Sequence, residues 1–92
     1  MHQTTNLKNI YDAFKRLKNK DEIRLFIRDL CTTTEIDAMQ ERWEIAQLVK
    51  KGIPYRKISE MTGASTATIT RVARWMKEGS GGYNLILDRF GR

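Results

Sequence analysis

The residues whose types and spacing could do chemistry lie between Arg56 and Arg74. Thr66, Ala67, Thr70, Arg71 and Arg74 follow one another closely, with Arg56 and Lys57 just ahead of them. Hydroxyls hydrogen-bond base edges, and a threonine methyl can touch the methyl of thymine. Guanidinium groups pair with phosphate, or with guanine in bidentate fashion. Such a set recognises a polyanion with readable edges; it does not break bonds. The chain lacks what catalysis would need. His2 is its only histidine and Cys31 its only cysteine, so neither a metal set nor a nucleophile–base pair can be assembled from them. No glycine-rich phosphate loop is present. The carboxylates near residues 35–44 are explained by helix ends and solvation. The sequence therefore argues against an enzyme, a metal site and a cofactor.

The candidate residues require a particular support. Pro54 suits a helix entry, because it lacks an N–H where none is needed. A short helix then runs to about Met61. Gly63 ends it by supplying a left-handed backbone conformation, and Ser65 caps a second helix reaching about Lys77. Two helices joined by a tight glycine turn form the helix-turn-helix pattern, here at about 54–78. At about 100° per residue, Ile69, Val72, Ala73 and Met76 share the core side of the second helix, where Ile58 and Met61 can pack. Thr66, Ala67, Thr70, Arg71 and Arg74 lie away from that side. A major groove about 12 Å wide admits a helix only where its side chains are slim, and Thr66, Ala67 and Thr70 meet that condition. Arg56 and Lys57, on the first helix of the pair, are placed to reach the backbone.

Upstream, Leu7, Ile10, Phe14 and Leu17 predict an amphipathic helix near 5–18. Ile23, Phe26, Ile27 and Leu30 predict a second, capped by Asn19 or Asp21, and Cys31 at its end reads as a small buried residue. Thr32 and Glu35 have capping-box spacing for a third helix running to Lys51, with Gly52 as its stop. That helix is apolar on two sides: Ile36, Met39, Trp43 and Ala46 on one, Ile45, Leu48 and Val49 on the other. Both sides must be covered, which in so small a protein predicts a homodimer with this helix at its centre; the alternative is cover from the first two helices. The run Gly79-Ser80-Gly81-Gly82 is a flexible break. Tyr83 to Phe90 either form a short last helix or fray, and Leu85, Ile86 and Leu87 favour docking. The fold class is all-α, five to six helices in a single domain over 1–92.

Charge supports an anionic partner. The chain carries 17 Lys and Arg against 11 Asp and Glu, a net charge of +6. Residues 50–78 hold Lys50, Lys51, Arg56, Lys57, Arg71, Arg74 and Lys77 against Glu60 and Glu78, whereas residues 32–49 are acidic. A concentrated basic segment is the footprint expected for double-stranded DNA. Tyr55 and Trp75 are too few and too buried for a single-strand stacking platform. Residues 1–20 have no apolar region for export and no run spans a membrane, so a cytoplasmic location is expected.

The run Gly63-Ala64-Ser65-Thr66-Ala67-Thr68-Ile69-Thr70-Arg71 closely resembles the reading head of the Trp repressor family, and Thr32 to Arg42 resembles its upstream helix. The similarity covers roughly residues 25–78 and points to the family's small Trp-repressor-like subgroup of poorly known role. The resemblance implies an intertwined all-helical dimer with two reading heads. In helix-turn-helix dimers, the Trp repressor among them, such heads sit about 34 Å apart on a palindromic operator. It implies DNA contacts at Arg56, Ser59, Ser65, Thr66, Ala67 and Thr70, although at the position of Ser59 the family can carry lysine. It also implies an effector pocket for tryptophan. Thr32, Arg42 and Arg71 match that pocket, but Val72 stands where the family has glycine and Trp75 where it has serine. Larger residues in place of small ones predict that tryptophan does not bind. Trp75 either covers this degenerate pocket or is an ordinary interhelical aromatic. Thr32 is equally explained by capping, and Arg42 by pairing with a nearby glutamate.

The expected function is sequence-specific DNA binding by a transcriptional regulator, by default a repressor, with no small-molecule effector assigned. The alternative is a helical protein-interaction adaptor whose helix-turn-helix no longer binds DNA.

Overall fold

The computed structural model describes residues 7–91. Six helices follow in order: α1 (Ile10–Lys15), α2 (Lys20–Leu30), α3 (Thr33–Lys50), α4 (Tyr55–Thr62), α5 (Thr66–Glu78) and α6 (Gly82–Phe90). The residues fall into two compact units, one up to Ile36 and one from Asp37.

In the first unit each helix start is fixed by a side chain. Asn9 and Asp12 form a reciprocal capping box, the Asp12 N–H donating to Asn9 Oδ1 at 2.9 Å and the Asn9 N–H to Asp12 Oδ2 at 3.2 Å. That cap makes α1 shorter than the helix expected near 5–18, of which residues 5 and 6 lie outside the described part. Of the two caps open for α2, Asn19 is used, accepting from the Glu22 N–H at 2.9 Å. Thr32 and Glu35 close the capping box read from the sequence, at 3.1 and 2.7 Å. Phe14 and Phe26 meet edge to face with centroids 5.4 Å apart, a favourable ring geometry. No described residue of this unit is buried, and Leu7, Tyr11 and Leu25 are among the most exposed apolar side chains. Cys31, expected to be buried, is half-buried, because it ends α2 in extended backbone rather than sitting on its packed face.

The second unit has a true core of Ile45, Ala46, Ile58, Ala64, Ile69, Val72 and Leu87, with Trp43, Leu48, Val49, Ile53, Met76 and Tyr83 packed around it. Gly52 (φ +80) ends α3: its N–H donates to Val49 O at 2.9 Å and the Ile53 N–H to Leu48 O at 3.2 Å. This paired closure is the Schellman motif, and it satisfies carbonyls the helix leaves open. Leu87 docks α6 into the core, while Leu85 and Ile86 remain exposed. Asn84 Nδ2 donates to Met76 O at 2.7 Å, tying α6 to the end of α5. Gly79 is required at that exit, since a Cβ there would lie 2.5 Å from Trp75 O.

One packing expectation is corrected. Met61 does not join Ile58 in the core; it is 55% exposed. The chain turns at Gly63 (φ +78) and brings Ala64 into the space beneath the turn instead.

Candidate nucleic-acid interface

The turn between α4 and α5 is held by side-chain hydrogen bonds. Thr62 Oγ1 donates to Ile58 O at 2.8 Å and accepts from the Ala64 N–H at 3.1 Å. Ser59 Oγ donates to Ala64 O at 2.6 Å. Ser65 then caps α5, accepting from the Thr68 N–H at 3.2 Å, with the Thr68 hydroxyl 3.1 Å away. Local chemistry thus fixes both the end of one helix and the start of the next.

From this base α5 presents two unlike faces. Ile69, Val72 and Ala73 are buried. Thr66, Ala67, Thr70, Arg71 and Arg74 are exposed and line one open hollow of about 400 Å³. Ser65 is exposed at its edge, and Arg56 and Lys57 are exposed on α4. Ser59 stands apart from this group, half-buried with its hydroxyl proton committed to Ala64 O.

Of the five positions aligned with the effector pocket, three matching and two departing, four come together. Arg42, Arg71, Val72 and Trp75 line a hollow of about 200 Å³ with Ala38, Glu41 and Thr68. Thr32 belongs to the first unit, where its hydroxyl serves the cap of α3. Val72 faces the core at 1% exposure, whereas Trp75 is 43% exposed. Trp75 and Arg42 also line a broad groove of about 890 Å³ with Trp43, Tyr83, Ile86 and Phe90. Two expectations fail here. Among the described residues the ion pairs are Arg24–Asp21 and Lys50–Asp88, so Arg42 pairs with no glutamate. Tyr55 and Trp75 are not buried, because each sits at a helix edge rather than on the core face. The groove aromatics were missed by sequence reasoning; an apolar stripe continuing through Phe90 was the available signal.

Glu35 has its carboxyl held below the ordinary range, first by the hydrogen bond from the Thr32 backbone N–H and then by the one involving the Thr32 side chain. Among the described residues no helix is long and apolar enough to cross a membrane, and no three His, Cys, Asp or Glu side chains cluster as a metal would require.

Fold and site together define an all-α helix-turn-helix protein of the DNA-binding regulator class. The family described as Trp repressor protein matches residues 5–90, and the chain belongs to it. It is 41% identical over 83 residues to the uncharacterized protein YerC of Bacillus subtilis (strain 168), covering 90% of this chain and 80% of that one. It is 36% identical over 77 residues to the Trp operon repressor homolog of Actinobacillus succinogenes, covering 83% and 72%. The crystal structure of a TrpR like protein from Eubacterium eligens ATCC 27750 superimposes with a TM-score of 0.83 at 40% identity, covering 89% and 84%.

Proposed function

We propose that the protein represses transcription by binding a palindromic DNA operator as a homodimer in the cytoplasm, without tryptophan as corepressor. The observation that carries this reading is the two-faced α5: buried Ile69, Val72 and Ala73 anchor it, while small hydroxyl residues and two arginines stand exposed around one hollow. Thr66, Ala67 and Thr70 are slim enough for a major groove and chemically suited to base edges. Arg71 and Arg74 pair with guanine or phosphate, and Arg56 and Lys57 with phosphates. Ser59 keeps only acceptor capacity outward, so its part is to brace the turn.

The dimer reading rests on uncovered apolar surface. The first unit buries no described side chain within itself, and the aromatic groove of the second stands open. A second copy covers such faces in an intertwined assembly, and two heads related by a two-fold axis read a palindrome. The reading without tryptophan rests on Val72 and Trp75. Both line a hollow of about 200 Å³, below the roughly 300–1,000 Å³ of ordinary ligand pockets.

Selection from random duplex DNA tests the main claim, with recovery of a two-fold symmetric site expected. Binding must also weaken steeply with salt, because contacted phosphates release counterions. A folded protein that retains no duplex in dilute buffer would favour the adaptor alternative. Sedimentation showing a stable monomer at micromolar concentration removes the dimer, and calorimetry showing micromolar L-tryptophan affinity removes the corepressor-free reading.

A further inference from the structure

We propose that Tyr55, Arg74 and Lys77 form a second contact point for the duplex, a seat for one backbone phosphate beside the groove that α5 enters. The inference rests on the DNA-binding reading and extends it to Tyr55 and Lys77, outside the reading end, with Arg74 shared between the two. The first residue of α4 and the C-terminal half of α5 meet around a shallow hollow of about 200 Å³ lined by Tyr55, Thr70, Ala73, Arg74, Lys77 and Glu78. Thr70 and Arg74 also line the hollow at the reading end, so the two run on along one side of α5. At 1.5 Å per residue, Thr66 to Lys77 spans about 16 Å. A major groove is about 8.5 Å deep. A helix entering by its N-terminal end therefore projects beyond the groove by the time Lys77 is reached, and the sugar–phosphate backbone is what remains within reach there.

The donors suit a phosphate. Tyr55 is 41% exposed and its hydroxyl makes no hydrogen bond among the described residues. Arg74 and Lys77 are exposed, and neither is in an ion pair among the described residues although Glu78 lines the same hollow. Three donors from two helices thus share one hollow with no acceptor assigned to them. Glu78 offsets one of the two cations, so long-range attraction is weak and the seat depends on hydrogen bonds made at close range. The roles divide by charge: Arg74 and Lys77 displace counterions, whereas the neutral phenol of Tyr55 donates a hydrogen bond without displacing any.

The test uses the full chain and a duplex that the wild-type protein selects from random DNA. Lys77→Ala is expected to weaken binding and to make the slope of log K against log salt shallower by about 0.9 per head. Tyr55→Phe is expected to weaken binding by roughly ten- to 150-fold, the worth of one hydrogen bond to a charged group, with the slope unchanged. Repeated selection with either variant should return the same sequence. Variants that match the wild type in affinity and slope overturn the seat while leaving the DNA-binding reading intact. So does a silent Tyr55→Phe, or a changed selected sequence, which would make these residues base readers. A wild-type protein that selects no duplex removes both readings. Both positions are exposed, and unchanged helicity by circular dichroism verifies folding.

Discussion

Ser59 Oγ donates a 2.6 Å hydrogen bond to Ala64 O, bridging the glycine turn from the middle of α4 to the residue before the cap of α5. The bond crosses the one point where the backbone takes φ +78, at Gly63. It fixes how α4 crosses α5, and so how the exposed face of α5 is presented. Ser59→Ala would leave the Ala64 carbonyl, on a buried residue, without this partner. A loss of about 1–2 kcal/mol is expected, read as a lower midpoint in urea with an unchanged slope. Unaltered stability would return Ser59 to the list of direct DNA contacts.

The reading face should separate cleanly from the core. Arg71→Ala and Arg56→Ala are expected to weaken duplex binding by roughly tenfold or more each, as for a lost charged hydrogen bond, with helicity intact. A comparable loss of folding would make these arginines structural. Thr70→Ala should relax sequence preference more than it lowers affinity for random DNA; competition assays with single-base variants of the selected site distinguish the two.

Ile69 sits on the opposite face of the same helix and is fully buried. Ile69→Ala opens a cavity against the core and is expected to cost about 2–5 kcal/mol. Thermal and chemical denaturation measure this directly. A cost near zero would mean that α5 is not anchored through this residue.

The capping box at the start of α3 gives a pH signature. Glu35 has a lowered pKa because its charged form accepts hydrogen bonds from Thr32. A group depressed in the folded state contributes its stabilisation fully above the unfolded value, about 4.3 for a glutamate, and loses it as pH falls through the lower folded value. Glu35 is exposed, so the effect is small. NMR titration should place the wild-type Glu35 midpoint below the ordinary carboxylate range, and an ordinary midpoint would show that the box is not formed in solution; Thr32→Ala, which keeps the backbone N–H, should move it only part of the way up.

Much of this protein was legible in the residues themselves because its decisive signals are local. Asn, Thr and Ser caps act within three residues, Gly52 and Gly63 act on their own backbone angles, and the 3.6-residue period separates Ile69 and Val72 from Thr66 and Thr70 without reference to anything distant. Those signals determined the helices, the turn and the slim cationic face. The tertiary structure decided matters of packing between elements. Whether Met61 or Ala64 fills the space beneath the turn depends on where the chain goes after Gly63. The same holds for the wide aromatic groove between Trp43 and Phe90, residues far apart in the chain, and for the hollow that joins Tyr55 to Lys77. Periodicity tells which side of a helix is apolar; only the neighbouring helix decides which of those side chains meets a partner and which is left open to water.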